Sequence, residues 1–184
     1  MAYVRPGGRD DFEIAVICAL PLEFDAVTNV FDKFWDKDGE TYGRAHGDRN
    51  QYTTGRVGNH NVVLVLLPGM GKISAVRAAT GLQSSYKSLR LALLVGVCGG
   101  MQSTRRSGTS RSLDICLGDV IISKRIVQYD FGRQYSDGFV RKDTVEDSLG
   151  RSNPDIRALI ALFETDLHSS WLTSKSMRKP VCLG

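Results

Sequence analysis

The sequence has no run of 18 uninterrupted apolar residues, so a membrane-spanning helix is not expected. Its first twelve residues hold Arg5, Arg9, Asp10 and Asp11 without an apolar block, so no secretory signal is read there. The four cysteines, Cys18, Cys98, Cys116 and Cys182, show neither a CxxC pair nor metal-ligand spacing. They read as reduced thiols of a cytoplasmic protein, the first three acting as small hydrophobes in or beside apolar runs. Cys182 stands one place short of the prenylation pattern. The histidines do not cluster: His46 and His60 fall in polar loops and His168 in the tail, and no GxSxG occurs. Metal and triad chemistry therefore have little support, and neither metal nor cofactor is expected.

Continuous basic charge is also lacking. Residues 102–112 carry Arg105, Arg106 and Arg111 without an acid, and residues 168–184 carry Lys175, Arg178 and Lys179 without one. These two segments hold more positive charge than the chain's net +4, so the rest is slightly acidic. That is not the basic face a nucleic-acid binder uses to displace counterions. What remains is 184 residues, 42% hydrophobic and 24% charged, the balance of a soluble globular domain. At this size a folded chain hides roughly 70% of its unfolded surface, enough for a real core.

Four short apolar runs, at 14–20, 62–67, 91–97 and 119–123, read as strands buried on both faces. Residues 51–57 alternate more, and Gly58-Asn59-His60-Asn61 joins them to the second run as a hairpin turn. Helical spacing appears over 23–34, with Phe24, Val27, Val30, Phe31 and Phe34 on one face, and over 72–89, with Ile73, Val76, Ala79 and Leu82. Asn153-Pro154 opens a third helix with an apolar face of Ile156, Leu159, Ile160, Phe163 and Leu167. The alternation predicts an α/β fold with three layers around a mixed, mainly parallel sheet. The expected organisation is a disordered segment over 1–12, one domain over 13–167 and an irregular tail over 168–184. A sheet whose last element is a helix followed by such a tail reads as cut off at its C-terminal side.

Three places could carry chemistry. Gly69-Met70-Gly71-Lys72 follows a strand and opens a helix, where backbone can approach a ligand. It is not a P-loop, because Leu66 stands where the first Gly is needed and Ile73 follows the Lys. It is not a dinucleotide fingerprint either, since Ser74 takes the third Gly's place. A tight strand-to-helix turn explains it equally well. Gly96-Val97-Cys98-Gly99-Gly100 ends the most apolar run, and a second glycine-rich strand end points to a pocket. Glu23 lies just past the first strand, placed to orient a water or a sugar hydroxyl. A first-turn glutamate stabilising its helix dipole is the plainer reading, and spacing alone favours that one.

Together these segments resemble the nucleoside phosphorylase and nucleosidase superfamily over about residues 14–162. "IAVICALPLEFDAV" is similar to the family's first strand and helix, "GMGK" to its second ligand loop and "LLVGVCGG" to its third. "ICLGDVIISKRIVQYDFG", at 115–132, resembles the strand and turn that follow. The wording after 127 is most similar to domains fused to NACHT, ankyrin or tetratricopeptide regions in fungal signalling proteins. The resemblance implies that Glu23 activates water or holds the ribose. It also implies a purine-nucleoside pocket lined by Ala19, Met70, Gly71, Val97, Cys98 and Gly99. Phosphorylases of the family commonly place arginine at Glu23 and arginine and serine where Leu94 and Val97 stand. A carboxylate with an apolar pair repels a phosphate dianion, so hydrolysis is expected over phosphorolysis. The family's later half supplies ribose-gripping glutamates and an aspartate that protonates the purine, and nothing after Phe163 resembles it. Two alternatives to an N-glycosidase follow: a non-catalytic nucleoside-sensing or partner-binding module of a signalling protein, and an inactive truncated product. The expected partner is a small-molecule nucleoside, with homodimerisation and fused signalling domains in keeping with the family.

Overall fold

The computed structural model describes residues 4–38, 42–99, 118–123, 130–142 and 152–165. The chain divides into two compact units, residues 1–112 and 113–184, described in turn.

The first unit is built on a five-stranded mixed sheet. Its strands are β1 (Ile14–Cys18), β2 (Lys33–Phe34), β3 (Tyr52–Val57), β4 (His60–Leu66) and β5 (Leu91–Val95), in the order β2-β3-β4-β1-β5. The Val, Ile and Leu runs 14–18, 62–66 and 91–95 pair in parallel, with β1 central: Val16 faces Leu64 on one side and Leu93 on the other. β3 and β4 form the expected hairpin, pairing antiparallel from Val57↔His60 to Tyr52↔Val65. Its two-residue turn starts at Gly58, whose φ of +59° a side chain would strain.

Period-two alternation sorts the core onto two faces. Ala15 and Val63 pack with Phe12, Trp35, Leu82 and Tyr86 on one side. Val16, Cys18, Val62 and Leu64 pack with Val27 on the other. Helix α1 (Pro21–Thr28) supplies Val27 and helix α2 (Lys72–Ser85) supplies Leu82, so the layers are helix, sheet, helix. This agrees with the three-layer α/β expectation.

Four expectations need correction. The first helix ends at Thr28, short of the predicted 34. Beyond it the chain pairs as a strand: Asp32 donates its N–H to the Arg56 carbonyl and Trp35 to that of Thr54. Lys33 and Phe34 then form β2, because a ladder partner satisfies more backbone there than a lone helix end could. The second helix stops at Ser85, and it buries Ala78, Gly81, Leu82 and Ser85, leaving Ile73 and Val76 exposed. Small residues let the helix axis come close to the loop before β3, which the bulkier stripe would prevent. Residues 119–123 form no strand, and Val120 is exposed, so apolar content alone did not make a ladder there. The segment expected to be disordered, 1–12, places Phe12 at 0% exposure between the rings of Tyr42 and Tyr86, edge-on at 4.9 and 5.5 Å. Asp11 O accepts from Asn61 Nδ2, which anchors that segment beside β4.

The second unit holds a hairpin of β6 (Gly132–Tyr135) with β7 (Gly138–Arg141) and helix α3 (Pro154–Phe163). Asn153 caps α3 by accepting the Asp155 N–H at 3.0 Å, with Pro154 at the first helical position, as its sequence signature requires. Leu167, the two basic segments 102–112 and 168–184, Cys116, Cys182 and His168 lie outside the described residues. Among the described residues no helix is long and apolar enough to cross a membrane.

Candidate functional site

Because β4, β1 and β5 run parallel, their carboxyl ends share one edge of the sheet, with Cys18 opposite Leu66 and Val95. Three segments leave that edge: 19–23 into α1, 67–71 into α2, and 96–99 after β5. The Leu67 N–H donates to the Cys18 carbonyl at 2.8 Å, which holds the first two together beyond the ladder. Ligands of open α/β sheets bind at such an edge.

Glu23 is the buried carboxylate of this edge, 8% exposed. Leu20 is the extended residue that starts α1 and Pro21 fixes the first helical φ, so Glu23 becomes the third helical position. A glutamate there reaches back to the start of its own helix. Its Oε2 accepts the backbone N–H groups of Ala19 and Leu20, both at 2.9 Å. These two bonds are local, made to the start of its own helix. The third is not local. Oε1 accepts the Val97 N–H at 2.9 Å, from the segment beyond β5 and 74 residues away in sequence.

The three donors favour the ionised form. The Val97 amide does most to hold the Glu23 carboxyl below the usual glutamate range, then the Leu20 amide; burial opposes them, and Ala19 adds to them. Glu23 is therefore an anion at neutral pH. Beside it Cys18 is fully buried, and its thiol is pushed up to about 11 by burial first and by the Glu23 charge second. Such a thiol is no nucleophile at neutral pH.

Of the residues singled out from sequence, Ala19, Glu23 and Val97 meet through these hydrogen bonds. Gly71 starts α2 with φ +111°, a conformation that favours glycine, and Met70 before it is 75% exposed. Both leave the same sheet edge. Gly99, two residues after Val97, is exposed. Cys98 is exposed too, which corrects its reading as a small hydrophobe: it lies three residues past the end of β5, a strand that is itself exposed from Ala92 to Val95, against the expectation that this run is buried on both faces. The Leu20 amide escaped the sequence reading, although a glutamate three residues after a strand-to-helix junction is its signal. Among the described residues no group of three or more His, Cys, Asp and Glu gathers as a metal site.

A separate cleft of about 420 Å³ opens on the α1 face, lined by Val16, Val27, Val30, Phe31, Leu93 and Val95 among others. His60 is the polar member of its lining. So apolar a wall offers almost nothing to the hydroxyls of a sugar, whose burial needs hydrogen bonds. The polar groups of the strand-end edge do.

The family described as the Phosphorylase superfamily matches residues 13–163. A nucleotide-binding leucine-rich repeat (NLR)-like protein of Hyaloscypha variabilis is 32% identical over 147 residues, covering 76% of this chain and 14% of that protein. A 5'-methylthioadenosine/S-adenosylhomocysteine nucleosidase of Mycobacterium bovis is 30% identical over 119 residues, covering 65% of this chain and 39% of the nucleosidase. A nucleosidase of the same name from Mycobacterium tuberculosis matches to the same extent. The chain thus spans well under half the length of these relatives. No solved structure gives a significant match.

Proposed function

The chain belongs to the phosphorylase superfamily, and from that premise we propose that its strand-end edge binds purine nucleosides and serves hydrolysis of the N-glycosidic bond. The observation that carries this reading is the Glu23 carboxylate, held ionised by amides from two different strand ends. Cleavage of a nucleoside passes through an oxocarbenium-like state, in which positive charge grows on the sugar. A fixed anion at the edge stabilises that charge, and a free lone pair on Oε1 orients a water toward the anomeric carbon. As the water oxygen bonds to that carbon, the bond to the purine nitrogen breaks and its electron pair leaves with the base. Glu23 receives the proton that the water loses and returns it to solvent, and the departing purine nitrogen takes its proton from solvent water. Three amide donors make Glu23 a weak base, so orientation and charge contribute more than proton abstraction.

A carboxylate in this place repels a phosphate dianion, which favours water as nucleophile. Two similar proteins bearing a nucleosidase name support the same direction. Incubation of the chain with adenosine, inosine and methylthioadenosine, with and without phosphate, tests it by chromatography of the released base. Base released without phosphate is the expected result; release only with phosphate, giving a sugar phosphate, overturns hydrolysis.

A second reading is favoured by the NLR-like relative, of which the matching region is a small part. In it the same edge senses a nucleoside for a signalling protein without turnover. Calorimetric titration with the same three nucleosides separates the two. Binding without base release supports the sensing module, and no binding overturns both.

A further inference from the structure

We propose that Gly96 is a positioning residue for Glu23: by lacking a side chain at the end of β5, it leaves the space that Glu23 Oε1 fills when it accepts the Val97 amide. The inference deepens the proposed function and rests on it for its catalytic consequence, although the geometry stands without it.

A Cβ built on Gly96 would lie 2.9 Å from Oε1, 3.4 Å from Cδ and 3.7 Å from Oε2 of Glu23. A carbon at 2.9 Å from a carboxylate oxygen is well inside ordinary contact, so one of the two must move. The backbone is not the constraint. Gly96 is absent from the positive-φ glycines of the described residues, so an alanine adopts its conformation without strain. This separates it from Gly71, where φ is +111° and any side chain is disfavoured.

The Glu23 carboxylate has little freedom to yield. Oε2 is fixed by two amides of its own helix start, so a push on Oε1 turns the group away from β5. The bond to the Val97 N–H, at 2.9 Å the only one of the three that crosses between strand ends, is the one lost. Gly96 thus decides whether the carboxylate bridges β1 and β5 or merely caps α1. In the bridged state its free lone pair is aimed; in the capped state it is not.

Gly96→Ala tests this, read first by carbon NMR titration of the Glu23 carboxyl in the full chain labelled with 13C-glutamate. In the variant the Glu23 titration moves up toward the ordinary glutamate range, and the Val97 amide proton shift changes with it. An unchanged titration and an unchanged Val97 amide overturn the proposal. A stability cycle guards against a variant that folds poorly. Gly96→Ala lowers the melting temperature of the parent chain but not of the Glu23→Ala chain, where the carboxylate is gone. An equal loss in both backgrounds makes Gly96 a backbone requirement and overturns it as well. Where the parent chain releases base, Gly96→Ala lowers kcat by up to ~10²-fold with KM changed little, as a misplaced group does. A parent chain that releases no base counts against the proposed function only, because the titration and the cycle need no turnover.

Discussion

Gly81→Ala in the middle of α2 reverses the usual rule for helices. At an exposed helical position the change gains about 1 kcal/mol, since alanine has the higher helix propensity. Gly81, however, is on the buried face, and a Cβ there would fall on Asp48 Oδ1 and Asn50 Nδ2. Those atoms belong to a polar cluster that ties α2 to the loop before β3. Asp48 accepts from Ser85 Oγ at 2.5 Å, from the Tyr52 hydroxyl at 2.5 Å and from the Asn50 N–H at 2.9 Å. Asn50 Nδ2 donates to the Tyr52 hydroxyl at 2.9 Å and to the Ala78 carbonyl at 3.0 Å, and the Ala45 N–H donates to Ser85 Oγ at 2.9 Å. Overpacking by one methyl costs about 1–3 kcal/mol. Displacing one hydrogen bond to a charged group costs about 1.5–3 kcal/mol more. Against the gain in propensity, the net loss is about 2–4 kcal/mol. For a chain of this length that lowers Tm by roughly 5–15 °C. Urea and thermal unfolding followed by circular dichroism measure it, with exposed Gln83→Ala as a control expected within about ±0.5 kcal/mol. A Gly81→Ala chain as stable as the parent would refute the close approach of α2 to Asp48 and Asn50.

Phe12→Ala should cost about 3–5 kcal/mol in urea unfolding, because Phe12 is fully buried among aromatic rings; a loss under 1 kcal/mol would remove the N-terminal segment from the core. Alkylation at pH 8 with mass-spectrometric mapping should label exposed Cys98 rapidly and leave buried Cys18, its thiol pushed up to about 11, unmodified until unfolding; equal labelling contradicts the burial. Glu23→Gln should be less stable than the parent at neutral pH. The folded carboxyl lies below its unfolded value, so its contribution is present above the unfolded pKa and is lost as pH falls through the folded one. Unfolding curves of both chains from pH 7 to pH 3 should therefore converge at the acid end, and a constant gap contradicts the amide-held anion.

The two faces of the sheet were legible in the sequence because β1 and β4 are short β-branched runs that leave little choice of partner. Gly58-Asn59 marked the hairpin, and Asn153-Pro154 marked the start of α3, since each carries its own local chemistry. What could not be read was set by contacts distant in sequence. The apolar spacing through 34 continued past the true end of α1 because Phe31 and Phe34 are apolar for another reason. Phe31 packs on the α1-side core and stacks on Phe34 at 5.1 Å, while β2 pairs with β3. Ile73 and Val76 drew the buried stripe of α2 to the wrong side, because burial there follows small residues and the Asp48 cluster. Glu23 was visible as a carboxylate after a strand. Its bond to Val97 was not, since nothing in the spacing reports which amide 74 residues away meets it.

The most direct test maps nucleoside binding onto the backbone amides by 15N-edited NMR, titrating the chain with methylthioadenosine or adenosine. Saturable shifts concentrated at Ala19, Gly71, Val97 and Gly99, and abolished by Glu23→Ala, are the predicted result. Shifts confined to the apolar cleft of the α1 face, or saturable binding that leaves those four amides untouched, would contradict it.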